Sequence, residues 1–424
     1  MLTLSLLKEN KDLVISGLKK KYVADPEGQV DHILAVDGQR RSVQFELDGI
    51  LADSNQKAKL IGELMKTGKK EEAEKLKAEA AAARDTSKTL QDKLNELEKE
   101  VQALLVKLPN LPHHSVPEGR TPEENIVVLE KGDKPSLTDK ALPHWDLIKK
   151  LDIIDFELGN KITGAGFPVY KNKGARLQRA MINFFLDEAV KAGYTEVQVP
   201  IFVNEDSAYG TGQLPDKDGQ MYHATADNLY VIPTAEVPIT NIYRDVILKA
   251  EELPVKNVGY TPCFRREAGS WGADVRGLNR LHQFDKVEIV QVAAPEHSYN
   301  VLVEMRNHIQ GLLEKLELPF RILHLCGGDM SFTSALTYDF EVYSAAQKKW
   351  LEVSSVSNFE SYQANRLKLR FKVDGKTQLL HTLNGSALAL PRVLAAIIEN
   401  NQTENGINIP KALQAYTGFA TIEA

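Results

Sequence analysis

TPCFRREAGSWGADVRGLNRLHQFDKVEIV, residues 261–290, has a β-like run at each end and a basic, glycine-containing connection between them. Two such runs joined in this way are expected to pair as antiparallel strands. Side chains alternate along a strand, so Arg265 and Glu267 of the first run are expected on one side of the sheet, and Phe284, Lys286 and Glu288 of the second run return together on one face. The connection adds Arg276 and Arg280. One sheet face thus gathers guanidinium, carboxylate and aromatic groups, a set that suits a nucleotide beside an amino acid. A half-exposed salt-bridge ladder would have the same pattern, so the neighbouring segments must distinguish the two.

Outward from this pair, short β-like runs follow one another at 229–232, 258–265, 284–292, 338–343, 350–355 and 379–383. Residues 174–192 place Leu177, Met181, Phe184, Phe185 and Ala189 at helical spacing, stopped by Gly193, and a β-like run at 195–199 ends at Pro200. Strands separated by hairpin-length gaps, with flanking helices, predict an α+β domain around an antiparallel sheet. Neither a Walker nor a dinucleotide glycine fingerprint occurs, so a bound nucleotide would not be held by those folds. Residues 109–160, with prolines, charges and little periodicity, read as a linker into this domain.

Toward the N-terminus, Pro26 and Pro109 bracket a proline-free stretch, 27–108. Every third and fourth residue from Ile33 to Leu64 (Ile33, Val36, Arg40, Val43, Leu47, Ile50, Ser54, Lys57, Ile61, Leu64) is apolar in seven positions of ten. A second series from Ala73 to Leu104 is apolar in nine of ten, so each half carries one coiled-coil seam. Thr67-Gly68-Lys69-Lys70 separates them, and the halves are expected to fold back antiparallel as arms of roughly 55 Å. Residues 1–110 hold 19 basic and 19 acidic side chains, yet residues 57–70 hold Lys57, Lys59, Lys66, Lys69 and Lys70 against Glu63 alone. The positive charge is therefore concentrated at the hairpin tip, where it could meet phosphates. The net charge of −6 does not oppose this, because phosphate contact needs a local basic patch and not a basic total.

Composition narrows the class. A 43% hydrophobic content is globular, and 424 residues suggest two domains, read here as 1–109 and 110–424. Two cysteines, Cys263 and Cys326, exclude a disulfide framework and a clustered thiolate zinc site, which favours a reducing compartment. The first residues carry charges among their apolar positions and do not read as a signal peptide. No apolar run approaches the ~20 residues a membrane span needs, so a cytoplasmic protein without a membrane partner is expected.

The strand, loop and strand of 261–290 resemble motif 2 of the class II aminoacyl-tRNA synthetases, and FRREAG, RGLNRLHQF and DKVE are similar to its seryl members. The helix, strand and Pro200 resemble motif 1, the dimer interface of that class. NGSALALPRVLAAIIENN, from Asn384, resembles motif 3 with Arg392 as its arginine. TAEVPITN from Thr234 and LEVSSVSN from Leu351 match serine-binding and ATP-binding stretches, and the arm matches a tRNA-binding hairpin. Two positions depart from the pattern: Pro391 stands where glycine commonly precedes the arginine, and Leu336 where many relatives carry lysine.

The resemblance implies an antiparallel-sheet class II catalytic domain preceded by an α-helical antiparallel coiled-coil arm. It implies a homodimer using ATP with Mg²⁺, L-serine and tRNA(Ser), with tRNA(Sec) open as a second acceptor. Arg265, Arg392 and Glu352 would be catalytic, Arg265 gripping the α-phosphate and Arg392 the γ-phosphate of a bent ATP. The ATP site would comprise Arg265, Arg266, Glu267, Leu281, Phe284, Glu352, Val353, Ser354, Ser355 and Arg392, with adenine on Phe284 and its amino group on Glu267. Glu352 and Ser355 would hold Mg²⁺. Serine would lie among Thr234, Ala235, Glu236, Arg265, Glu288 and Ser386. Lys57, Lys66, Lys69, Lys70, Arg276 and Arg280 would contact tRNA.

Overall fold

The computed structural model describes residues 1–216, 218–267, 276–373 and 375–423, so residues 268–275 of the quoted segment lie outside the described residues. The chain forms two compact units, Met1–Pro109 and Asn110–Ala424.

In the first unit two short helices, Leu4–Glu9 and Lys11–Lys20, precede α1 (Pro26–Lys66) and α2 (Lys70–Leu105). Pro26 opens α1 where a missing N–H costs nothing, and the Asp25 carboxylate accepts from Gly28 N–H at 3.1 Å. Gly68, at φ 78°, ends the helix by letting Lys69 N–H reach back to the Leu64 carbonyl at 3.0 Å. With 41 and 36 residues, the helices are about 60 and 54 Å long.

The two helices pack along the expected seam. Ile33, Val36, Val43 and Leu47 of α1 and Leu94, Leu97 and Val101 of α2 are buried, whereas seam residues nearer the turn are only partly covered, apart from Ala73. Lys57 belongs to this seam. Its ammonium bridges Asp53 at 3.0 Å and Glu79 of α2 at 3.1 Å, so it ties the helices together and is not displayed at a free tip. Lys66 and Lys70 are exposed without ion pairs among the described residues, and Lys69 meets Glu72 at 3.3 Å. Near the other end, the fully buried carboxylate of Asp37 forms ion pairs with Lys8 at 2.6 Å, Arg40 at 2.9 Å and Arg41 at 3.1 Å.

The second unit is built on an eight-stranded sheet: β1 (Ile126–Lys131), β2 (Thr195–Glu196), β3 (Val255–Phe264), β4 (Gln283–Ala293), β5 (Phe320–His324), β6 (Leu336–Ser344), β7 (Lys349–Asn358) and β8 (His381–Ala389). Their order is β1-β5-β6-β7-β8-β4-β3-β2, antiparallel throughout except for the parallel β2–β3 edge. Helices α3 (Asn172–Lys191), α4 (Ser298–Lys315) and α5 (Leu390–Asn400) pack on it. The apolar stripe of α3, Leu177, Met181, Phe184, Phe185 and Ala189, is buried in the same core as Val287, Ile289, Val353 and Leu394.

Three expectations are corrected here. Residues 109–160 are not simply a linker. They supply edge strand β1, the helix His144–Lys150 and the helix Phe156–Ile162. An edge strand exposed on both faces shows no apolar alternation, and that signal was the one missing. Residues 379–383 are not one strand either, because Lys376–Leu379 belongs to a three-stranded sheet and β8 starts at His381. Finally, β3 ends at Phe264, so Arg265 and Glu267 lie just past the strand, with Glu267 at φ 48°. Pro391 is the second residue of α5 and fits its first turn, while Leu336 is buried in the core.

Burial alone would raise the Asp37 carboxyl, but hydrogen bonds from Lys8 and then Arg40 outweigh it and hold the group below the ordinary carboxylate range. A depressed carboxylate adds stability above its unfolded value, about 3.9, and loses it as pH falls through the folded value. Because its cationic partners are partly exposed, Asp37→Ala is expected to cost only about 1–2 kcal/mol. In thermal melts followed by circular dichroism from about pH 6 to pH 3, the arm of the natural chain should lose stability below about pH 4, and Asp37→Asn should lessen that fall. Identical acid profiles for both chains would contradict it.

Candidate active site

Chemistry-bearing side chains converge on one cleft of about 670 Å³ in the second unit. Alternation along β4 sends Phe284, Lys286 and Glu288 into it and Val287 and Ile289 into the core. From β7 come Glu352, Val353, Ser354 and Ser355, from β8 Asn384 and Ser386, and from the start of α5 Arg392.

At one end the charges are buried. Lys286 Nζ meets Glu288 Oε2 at 2.6 Å and donates to Thr234 Oγ1 at 2.8 Å, and the Thr234 hydroxyl donates to Glu288 Oε2 at 3.3 Å. All three residues are buried. Glu236 stands beside them at the start of the helix Glu236–Asn241, and Gln363 Nε2 donates to its Oε1 at 2.6 Å. Gln363 is itself oriented by the Thr382 hydroxyl at 2.7 Å and the Thr211 carbonyl at 3.1 Å. Burial, then the charge of Glu288, pushes the Glu236 carboxyl up to about 7, against the opposing hydrogen bond from Gln363.

The other end is more open. Arg265 is held through its backbone: its N–H donates to the His282 carbonyl at 2.9 Å, and its own carbonyl lies 3.0 Å from His282 Nδ1. Its guanidinium lies over the Phe284 ring, 5.3 Å from the centroid. Glu267 Oε2 accepts from Arg280 at 2.6 Å. Arg392 donates from Nε to the Asn279 carbonyl at 3.0 Å and from Nη1 to the Glu352 carbonyl at 2.8 Å. The Ser355 hydroxyl is 3.4 Å from Glu352 Oε1. Near this pair, Asp339 on β6 has a buried Oδ1 without a hydrogen-bond partner, and burial followed by the charge of Glu352 raises its carboxyl well above the ordinary range.

Not every residue singled out from sequence reaches the cleft. Ala235 is fully buried against Ile239 and Val290. Arg266 does not line the cleft, and its backbone N–H donates to the Gln220 carbonyl. Arg276 is exposed and lies over the Trp145 ring, while Arg280 is in the cleft wall. Lys57, Lys66, Lys69 and Lys70 belong to the first unit. Sequence reading passed over Lys286 as a site residue, and also Asn384, Asn279 and Gln363. Alternation put Lys286 on the same face as Phe284 and Glu288 without giving it a role, whereas no local signal marks Gln363.

Among the described residues no group of three His, Cys, Asp or Glu side chains could by itself hold a metal ion. Glu352 and Ser355 do offer adjacent hard oxygens, a donor set that suits Mg²⁺, which keeps most of its shell as water and substrate oxygen. No helix of the described residues is long and apolar enough to cross a membrane.

Comparison with known proteins places these features in a family. Residues 1–112 match the seryl-tRNA synthetase N-terminal domain, and residues 221–401 match the class II tRNA synthetase core domain (G, H, P, S and T). The serine–tRNA ligase of Salinibacter ruber is 48% identical over 427 residues, covering 100% of both chains. That of Chlorobium luteolum is 47% identical, covering 100% of this chain and 99% of its own. A crystal structure of seryl-tRNA synthetase from Pyrococcus horikoshii complexed with ATP superimposes with a TM-score of 0.93 at 33% identity, over 100% of this chain and 99% of that one. A cytoplasmic serine–tRNA ligase from Naegleria fowleri in complex with AMP gives 0.88 at 26% identity, again over 100% and 99%.

Proposed function

Because the chain belongs to the seryl-tRNA synthetase family of class II aminoacyl-tRNA synthetases, we propose that it activates L-serine with ATP and transfers the seryl group to the 3′ end of tRNA(Ser). The observation that carries this reading is the division of one cleft into a buried, hydrogen-bonded end around Glu288 and an open, arginine-lined end around Arg392.

Serine's carboxylate is already ionised at neutral pH, so its attack on the α-phosphorus needs no general base, and rate comes from positioning and charge stabilisation. Arg265 would grip the α-phosphate and Arg392 the γ-phosphate, with adenine on Phe284 and its amino group donating to Glu267. Glu267 and Glu352 already engage Arg280 and Arg392, so ATP would exchange internal partners for its own. Glu352 and Ser355 would hold Mg²⁺, which when bound neutralises phosphate charge.

At the buried end, both contacts to the Glu288 carboxylate fall on Oε2, leaving Oε1 as an acceptor for serine's ammonium. Glu236 would be a second acceptor, with Ser386 closing the hydroxyl end. A site built to bond a hydroxyl rejects alanine by about 10⁴-fold or more, because its own polar groups would be left unpaired.

A homodimer is part of the same reading. The resemblance places its interface at motif 1, which here is α3, edge strand β2 and Pro200. The exposed Lys66 and Lys70, with Lys69, form the surface that would meet tRNA phosphates, and Arg276 and Arg280 would serve the acceptor end.

Two tests separate the ends of the cleft. Arg265→Ala should lower adenylate formation by about 10²–10³-fold, the cost of one preorganised contact to a developing charge. Glu288→Gln should raise the KM for serine while leaving that for ATP within about twofold. Near-normal exchange in the first variant, or equal loss of ATP and serine affinity in the second, would contradict these placements. On the arm, Lys66→Ala with Lys70→Ala should weaken tRNA binding and flatten its logarithmic salt dependence, by about 1 or slightly less for each phosphate no longer neutralised. An unchanged slope would mean that these lysines touch no phosphate.

A further inference from the structure

His144 opens a helix in the stretch that reads as a linker, yet it and Glu399 are completely buried. Leu278 N–H donates to His144 Nε2 at 2.9 Å. That nitrogen is therefore the acceptor, and Nδ1 carries the hydrogen that Glu399 Oε1 accepts at 2.7 Å. The same oxygen accepts the backbone N–H of His144 at 2.9 Å and Gln347 Nε2 at 2.9 Å, and Oε2 accepts the Ser344 hydroxyl. Gln347 Oε1 in turn accepts from Asn279 Nδ2 at 3.0 Å, and the Asn279 carbonyl accepts from Arg392 Nε at 3.0 Å.

Arg392 and Glu399 lie on one helix, α5. The hydrogen bonds thus close a ring, from Glu399 through His144 and Leu278 to Asn279, and back through Arg392 to the start of α5. The fit around it is tight. Gly277 sits at φ +63°, and a Cβ there would lie 2.3 Å from His144 Nε2. Next to it the Arg276 guanidinium lies over the Trp145 ring, 4.8 Å from the centroid. His144 does not line the cleft, whereas Leu278, Asn279, Arg280 and Leu281 do.

We propose that His144 is a positioning residue for the nucleotide end of the cleft: by joining the Glu399 carboxylate to the Leu278 amide it fixes segment 276–281 and, through the Asn279 carbonyl, the orientation of the Arg392 guanidinium. The inference rests on the reading of Arg392 and the 278–281 wall as the nucleotide end. Both ring nitrogens are used, one as donor and one as acceptor, and neither amide side chain can supply both at this spacing. Removing the acceptor strands a buried N–H, which the segment can satisfy only by shifting.

Two substitutions divide the ring. His144→Asn keeps a donor toward Glu399 and loses the acceptor for Leu278, whereas His144→Gln can still place a carbonyl near Leu278. Serine-dependent pyrophosphate exchange would be measured with ATP and serine varied in turn, alongside hydrogen exchange of peptides covering 276–281 in the full chain. His144→Asn should raise the KM for ATP about tenfold, keep that for serine within about twofold and speed exchange of the segment, with His144→Gln recovering most of the difference. Lowered thermal stability with an unchanged KM for ATP and unchanged exchange would overturn the proposal, leaving His144 a core group only. Should His144→Asn fail to fold, His144→Gln is read by itself against the natural chain: a KM for ATP raised a few fold with faster exchange of 276–281 supports the proposal, and an unchanged KM with unchanged exchange overturns it. A natural chain without serine-dependent exchange would instead sink the functional reading, and the hydrogen-exchange arm then judges the positioning by itself.

Discussion

Ten consecutive antiparallel pairs between β3 and β4, from Phe264 opposite Gln283 to Val255 opposite Val292, form the constraint on which the second unit depends. Side chains on a strand alternate, so a slip of one residue would turn Phe284, Lys286 and Glu288 into the core and Val287 and Ile289 into the cleft. The apolar face that meets α3 therefore fixes the polar face that builds the site. The same pairing sets Arg265 directly after the end of β3, where His282 grips its backbone from both sides.

Burial then gives the site its character. Lys286, Glu288 and Thr234 are out of water and satisfy one another, so removing any one leaves an uncompensated polar group and costs more than the intact cluster contributes. Such a cluster is a poor source of stability and a good source of fixed geometry. Its donors and acceptors are oriented before substrate arrives, which is what a reaction without a general base requires. Behind the opposite wall, the buried ring through His144 and Glu399 acts in the same way on Leu278, Asn279 and the more exposed Arg392.

What sequence could reveal followed the range over which each signal acts. The coiled-coil seam repeats every three or four residues, so one reading of the chain identified Ile33 to Leu64 and Ala73 to Leu104, and the structure covers these positions. Glu267, Phe284, Glu288 and Ser355 were found because their segments carry both strand patterning and a family resemblance, Arg392 from the resemblance alone, and all line the cleft. The break at Leu380 was missed because the chain passes from one sheet to another without a turn signal. His144 and Gln363 were missed for a different reason. A lone polar residue does not encode its own burial, and the partner of His144 lies 255 residues away. Lys57 looked like a tip charge because the acid that pairs with it, Glu79, lies on the opposite helix.

The most direct test is pyrophosphate exchange by the natural chain with ATP and Mg²⁺, run with each of the twenty amino acids in turn. Serine should support the fastest exchange, with alanine about 10⁴-fold or more behind because it leaves the groups around Glu288 and Ser386 without a hydroxyl partner. Equal exchange with alanine, or faster exchange with any other amino acid, would contradict the assignment of the buried end of the cleft to serine.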